Sequence, residues 1–409
     1  MKSFIAKFDN FRLSHKLPVI IILSALITGC IVGFVSYKNA YDEIHREAEV
    51  KLSSLLSAKK HEFERYLRSI ESDLNFNSKN PFVHQAQRAF KKSWDELGDK
   101  NINQTEYLQK WYIDDNPNPT GSKEVLDYAQ DGSEYSKNHR IYHDWLRTFL
   151  RDRGYYDIFL FDTQGNLVYT VFKELDYATN VNNGKWANTD LGNAFREAIK
   201  SADGTQAFFD FKPYAPSNDA PASFMSTPLT DSNGKNFGTL VYQMPIDAIN
   251  EIMKVSDGLG QTGEISLIGA DFLMRNDSRL SKESTILKRK VETQAVKDAL
   301  AGKKGTSEEK NYNGNDVLAA YEPFEFKGAK YALVATIDSD EVFAPLVQMR
   351  NSILVQVLIV IGIIAGIGLL IARHIAGRIA ALADSVQSIA KGDNTEIPSI
   401  NNDDEIGNI

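Results

Sequence analysis

The stretch Phe208-Phe209-Asp210-Phe211-Lys212-Pro213-Tyr214 sets one carboxylate and one ammonium among four aromatic rings. Alternate residues of an extended strand share a face. That rule puts Phe208, Asp210 and Lys212 on one side and Phe209 and Phe211 on the other. A carboxylate on an aromatic strand is suited to holding an ammonium group. Small-molecule pockets are mostly apolar and aromatic with a few polar anchors, and Tyr169, Trp186, Tyr214, Met225 and Ser226 could wall such a site. Asp176, in Lys-Glu-Leu-Asp-Tyr-Ala-Thr-Asn, is a second candidate anchor, with a turn-forming role equally compatible with its neighbours. The plain alternative is a solvated Asp210–Lys212 face backed by core aromatics. Arg275 and Asp277 form a weaker candidate pair later in the chain.

The same reading finds no catalytic constellation. The seven histidines are scattered, with no H-E-x-x-H pair on a helix face. No G-x-S-x-G elbow and no G-x-x-x-x-G-K-[ST] phosphate loop occur. The single cysteine, Cys30, can form no intrachain disulfide and sits in an apolar run, so no cysteine metal site or nucleophile is expected. The chain is therefore read as non-enzymatic, with no metal or cofactor. A net charge of −8 argues against nucleic acid as the partner, since phosphate binding needs a basic face.

The elements that must position these residues begin with two uncharged runs, Leu17–Tyr37 and Asn351–Ala372. Each reaches the roughly 20 residues that cross a bilayer as helix. Lys2, Lys7, Arg12 and Lys16 precede the first run, and Arg373 and Arg378 follow the second. Positive flanks favour the cytoplasm, so residues 1–16 are expected inside, 38–350 outside, and 373–409 inside. The first run is longer than the apolar core of a cleaved signal, and no A-x-A site follows it. Ile27-Thr28-Gly29-Cys30 resembles a lipoprotein cleavage box, but apolar sequence continues to Val35. Gly29 with Gly33, and Gly362 with Gly366, give small residues four apart, a pattern that lets helices approach closely and lends weak support to a dimer.

Between the two runs, residues 38–75 have helical rhythm. Tyr41, Ile44, Ala48, Leu52, Leu55, Leu56, Phe63, Leu67, Ile70 and Leu74 recur mostly at three or four, and no Gly or Pro intervenes before Pro81. Such a helix would be roughly 55 Å long at 1.5 Å per residue. Asp114–Ser122 reads as a loop from its Pro, Asn and Gly content. A helix from about Arg140 is ended by Gly154. Then come hairpins: one in Tyr156–Val171, another around Asn233-Gly234. The plan repeats. Glu264–Asp277 again reads as strand, turn, strand, and Ala194–Phe208 has a partner in Ala295–Glu309, each a short helix followed by Gly-Thr. Ser226–Ile249 has a partner in Tyr321–Val342, the strand pairs ending on Ile246-Asp247 and Ile337-Asp338. Such a repeat predicts an α+β fold of two stacked antiparallel-sheet modules, over 140–250 and 255–345, behind a long N-terminal helix.

A long helix followed by two such modules between two membrane helices resembles the double Cache sensor domain, with PAS-like modules. The phrases DIFLFDTQGNLVYT, PASFMSTPLTDSNG, LVYQMPIDAINEIM, DFLMRNDSRL and ATIDSDEVFAPL resemble those of bacterial chemoreceptors and of some sensor kinases and nucleotide cyclases. The resemblance covers about 38–350. It implies a small-molecule pocket in the membrane-distal module, between sheet and capping loops. The Tyr/Arg/Trp set with a later Asp of amino-acid-binding members is not in order here.

Beyond the second run, Ile375, Ile379, Leu382, Val386 and Ile389 step by 4, 3, 4, 3, a heptad seam for a helical bundle. Gly392 stops that helix, and Asp404-Glu405-Ile406-Gly407 starts another. This resembles a HAMP module, although Gly377-Arg378-Ile379 stands where the family has a proline. The resemblance implies a methyl-accepting chemotaxis transducer of the bacterial inner membrane. It would be a homodimer with a periplasmic sensor, a HAMP relay, and a cytoplasmic kinase and coupling protein as partners through an output domain beyond residue 409. The same front end also serves histidine kinases and nucleotide cyclases, and a membrane-tethered binding module without output is the third reading.

Overall fold

The computed structural model describes residues 13–254 and 257–390. Among these, residues up to Glu47 and from Val342 onward form one compact unit, and Ala48–Glu341 form the other.

In the larger unit the first helix, α1 (Leu13–Ser78), supplies a buried stripe of Leu52, Leu56, Phe63, Leu67, Ile70 and Leu74. These positions recur at three, four and seven residues, so one face of the helix meets the core. Asn80 then caps α2 (Pro81–Asp99) by accepting from the Phe82 amide, and Pro81 opens the helix where its missing N–H costs nothing. Val83, Ala86, Phe90, Trp94 and Leu97 bury its inner face. A short α3 (Gln104–Gln109) runs into one π-turn. The next helix, α4 (Glu134–Arg153), starts earlier than its apolar rhythm suggested because Ser133 caps it. Gly154 at φ 70° ends it as expected.

The first sheet contains β1 (Asp157–Phe161), β2 (Leu167–Thr170), β3 (Ala207–Tyr214), β4 (Ala220–Thr230) and β5 (Asn236–Met244), with α5 (Asp190–Lys200) between β2 and β3. Its order is β2-β1-β5-β4-β3, every neighbour antiparallel. One face packs Ile158, Leu160, Tyr169, Phe211, Met225 and Tyr242 into a core shared with α1, α2 and α4. The other packs Phe159, Phe161, Tyr214 and Phe224 against Leu191, Ala194 and Phe195 of α5. The aromatic strand β3 departs from simple alternation. Phe209 stands opposite Phe224 and Lys212 opposite Ala222, so three steps on one strand meet two on the other. This bulge puts Phe211 on the same face as Phe208 and turns Lys212 towards Asp190 at 2.9 Å, the reverse of the expected sharing.

The second sheet repeats the first without its edge strand. Helix α6 (Ile246–Met253) leads to β6 (Glu264–Gly269), α7 (Gln294–Leu300), β7 (Gly305–Lys310), β8 (Asp316–Phe326) and β9 (Ala329–Asp338), in the order β6-β9-β8-β7. Position by position this matches β1-β5-β4-β3. The counterpart of β2, expected near Leu273–Asp277, is reduced to isolated bridges. Asn276 explains the loss: its side chain accepts from Leu267 N–H and donates to Ile265 C=O, taking the place of backbone ladder partners.

In the smaller unit α1 pairs with the last helix, α8 (Ser339–Ala390). A Cβ on Gly29 or Gly33 would touch Val357 or Ile353 at 3.6 and 3.2 Å, so this glycine pair serves packing within the chain. Gly362 and Gly366 face open space. Both helices are long and apolar enough to cross a membrane. Ile375, Ile379, Leu382 and Val386 lie on α8, with Ile379 and Val386 exposed. The Ile389 side chain, Gly392, Asp404, Glu405 and Gly407 fall outside the described residues.

Candidate ligand-binding site

A cavity of about 340 Å³ opens where the first sheet's strands end, within the size range of small-metabolite pockets. Its wall is the chain that leaves β2, Phe172 to Leu175, together with Tyr156 before β1 and the turn Pro216–Asn218 between β3 and β4. Lys123 and Ile113 close the side contributed by the α3–α4 connection. Tyr156 and Phe172 stack at 5.3 Å with planes 16° apart, giving a flat aromatic surface.

Glu174 is the anionic group on that wall. Its carboxylate accepts from Tyr156 Oη at 2.7 Å and Ser217 Oγ at 2.5 Å, and burial pushes its pKa up. Behind it stands fully buried Asp176, which accepts from Tyr214 Oη at 2.6 Å through one oxygen and has no hydrogen-bond partner on the other. Burial lifts its pKa to about 7. A third carboxylate, Asp157, accepts backbone N–H groups from Val171 and Phe172 and the Thr170 hydroxyl. Burial raises this carboxyl too. Among the described residues, hydroxyls and amides rather than cations meet all three acids.

Lys173, held at φ 55°, gives its ammonium to backbone carbonyls rather than to a carboxylate. The nitrogen donates to Val171 O at 2.8 Å and Thr170 O at 3.2 Å, lies 3.4 Å from His143 Nδ1, and sits over the Tyr169 ring at 5.3 Å. Burial pulls the Lys173 pKa down to about 7. His143 Nε2 faces the Glu124 carbonyl at 2.7 Å, which can only accept, so Nδ1 is the nitrogen that accepts from Tyr169 Oη at 2.6 Å. His139 stacks on His143 at 4.2 Å, and burial holds both imidazoles well below their ordinary pKa.

The sequence candidates are divided by the sheet. Tyr169 and Met225 lie on the face towards α4, whereas Tyr214 lies on the α5 face and Ser226 donates to Ala194 O of α5. Met225 and Ser226 are consecutive in a strand and cannot wall one cavity together. Trp186 is buried, donating to Leu175 O at 3.1 Å. Of the set, Asp176 and Tyr214 are joined directly. Asp210 is committed elsewhere: Arg275 and Tyr331 of the second sheet hold its carboxylate, which leaves it unsuited to a ligand's ammonium. Arg275 is spent in the same contact, and Asp277 accepts from the Thr285 amide. Sequence reasoning missed Tyr156, Phe172, Glu174 and Ser217. A charged Lys-Glu pair directly after an apolar strand was the signal that could have found them.

The Cache domain family matches residues 40–346. The chain belongs to that family. A Sinorhizobium fredii protein whose name reads "Probable chemoreceptor y4sI" is 24% identical over 284 residues, covering 67% of this chain and 34% of that protein. The chain thus spans about a third of the length of this relative. Among solved structures, the periplasmic sensory domain of the Campylobacter jejuni chemoreceptor Tlp1 aligns at 16% identity and TM-score 0.37, over 68% of this chain and 99% of that one. The ligand-binding domain of the Pseudomonas fluorescens chemoreceptor CtaA, in complex with L-isoleucine, aligns at 12% identity and TM-score 0.37, over 76% and 99%. The Cache region of this chain has an α+β fold with two antiparallel sheets.

Proposed function

We propose that this chain is the sensory and relay part of a bacterial chemotaxis transducer. Its Cache region takes the double Cache layout on the periplasmic side of the inner membrane, binding a small molecule in the membrane-distal module. The helices at 17–37 and 351–372 span the membrane, and a HAMP module from residue 373 carries the signal in a homodimer. It leads to a methylated output domain that meets a cytoplasmic kinase and coupling protein. The chain itself is non-catalytic. The observation that carries this reading is the position of the Cache match, residues 40–346, between the uncharged runs 17–37 and 351–372, each on a helix long and apolar enough to cross a membrane.

The site supports a ligand with an ammonium group. Glu174 offers a carboxylate balanced only by hydroxyls, beside the flat Tyr156–Phe172 pair that suits a cation's apolar neighbours. Such a ligand shifts the population towards whichever conformation it binds better. The test uses the full chain in lipid nanodiscs and a thermal-unfolding screen of primary amines, quaternary amines, L-amino acids, carboxylates and sugars. A binder at 100 times its Kd stabilises the fold by about 2.7 kcal/mol. We expect saturable stabilisation by at least one ammonium compound. A screen in which no compound of any class moves the midpoint would remove the receptor reading. Stabilisation by carboxylates or sugars alone would leave the receptor but remove the ligand class.

A further inference from the structure

We propose that Asp210, Arg275 and Tyr331 form a releasable latch that couples the pocket-bearing sheet to the second sheet and to the helix that leaves it. Its purpose rests on the receptor reading; its existence does not.

The β3 bulge projects Asp210 out of its own sheet. One carboxylate oxygen accepts from Arg275 Nε at 3.1 Å and Nη2 at 2.8 Å, and the other accepts from Tyr331 Oη at 2.6 Å. Arg275 is 3% exposed. Room for its guanidinium exists because residue 269 is glycine: a Cβ there would lie 2.3 Å from Nη2. Tyr331 belongs to β9, which passes at Asp338–Ser339 directly into α8. The first turn of α8 is itself pinned, since Glu341 accepts from the Gln261 and Thr262 amides at 2.8 Å each. At its other end β3 runs into the Pro216–Asn218 turn that lines the cavity, and its last residue, Tyr214, bonds Asp176. One strand therefore touches the pocket at its end and the output strand at its bulge.

The chemistry favours a switch over a plain joint. Apolar residues hold two sheets together at least as well as a buried ion pair, which must offset its own desolvation. The ion pair adds direction and two discrete states, made and broken. Arg275 also has somewhere to go on release. Nη2 already donates to Asp271 at 3.0 Å and Nη1 to Leu273 O at 2.9 Å, so breaking the Asp210 contact does not strand the guanidinium. Asp210, with its side chain 22% exposed, can be taken up by water. Small shifts at a site become large ones when packed interfaces have two arrangements.

The test is hydrogen exchange by mass spectrometry on the full chain in nanodiscs, without ligand. Asp210→Asn should speed exchange by about tenfold in β9, in the first turn of α8 and in the Ala215–Asp219 turn, with β7 and α2 unchanged. Tyr331→Phe, which removes one hydrogen bond, should give a smaller change in the same places, and it decides the matter if Asp210→Asn fails to fold. Asp271→Asn removes the negative charge that would hold the released guanidinium, leaving only a neutral acceptor, and should slow exchange in those segments. A joint that merely supports the fold predicts faster exchange there for all three. Changes confined to the touching residues, uniform changes across the chain, or faster exchange in Asp271→Asn would each overturn the latch. No ligand is needed, so a chain that binds nothing in the screen still answers the question.

Discussion

Asp176 offers a prediction whose size follows from its surroundings. Its carboxyl is fully buried, with one oxygen bonded to Tyr214 and the other unpartnered, and its pKa stands near 7 against an ordinary 3.8. The native state therefore keeps this proton while the unfolded chain has already lost it. Stability is fully present below pH 3.8 and is lost as pH rises through about 7. At about 1.36 kcal/mol per tenfold, the whole loss is about 4 kcal/mol, and roughly 2–3 kcal/mol of it falls between pH 5 and pH 8. Asp176→Asn keeps the acceptor for Tyr214 and cannot ionise. The difference between wild type and Asp176→Asn isolates this one group from the other buried acids and bases. Thermal unfolding of both chains, at matched scan rate in the same nanodiscs, should show the variant gaining about 3–5 °C on wild type as pH goes from 5 to 8, the shift expected for a unit as large as Ala48–Glu341. Parallel pH profiles would refute the reasoning, because they would mean that Asp176 is either solvated or already ionised in the native state.

Three further outcomes follow from the same geometry. Glu174→Gln accepts from one of the Tyr156 and Ser217 hydroxyls and donates to the other, so it fills the same place without the charge, and should weaken binding of a stabilising amine at least about tenfold by calorimetry while leaving the midpoint of the free chain within a few degrees. Gly154→Ala meets no neighbour within 4 Å, so its cost, about 1 kcal/mol read as a lower unfolding midpoint, comes only from φ 70° at the end of α4. His143 stays neutral in the native state because burial lowers its pKa below 6.5, so its contribution is present above pH 6.5 and lost as acid protonates the unfolded chain. His143→Gln, with an amide N–H for Glu124 O, should therefore lose less stability than wild type between pH 7 and pH 5.

Periodicity and turn chemistry made much of the fold legible. The α1 stripe, Gly154, the hairpins and the repeated plan of strands and short helix all follow from local signals that agree with the tertiary packing. What could not be read were places where a side chain replaces backbone. Asn276 removes a strand by bonding like one, and the β3 bulge, whose one local mark is Pro213 just beyond it, inverts the facing of Phe211 and Lys212. The site was harder still. Candidates chosen by residue type, such as Met225 and Ser226, ended on opposite faces of one strand. Asp210, the most suggestive carboxylate, has its partners some 65 and 121 residues away in sequence, where no local pattern points. Glu174 has a local mark, a Lys-Glu pair directly after an apolar strand, but gains its character from burial and from Ser217.

The central claim, a ligand pocket facing outward between two membrane-crossing helices, can be met in one labelling experiment. Cys30 is the sole cysteine, so Cys30→Ser gives a clean background for Thr120→Cys on the exposed rim of the cavity. A membrane-impermeant maleimide added to intact spheroplasts is expected to label Thr120→Cys, and the amine that stabilises the chain best is expected to slow that labelling. Labelling that appears only after lysis would place the Cache region on the wrong side of the membrane and contradict the account.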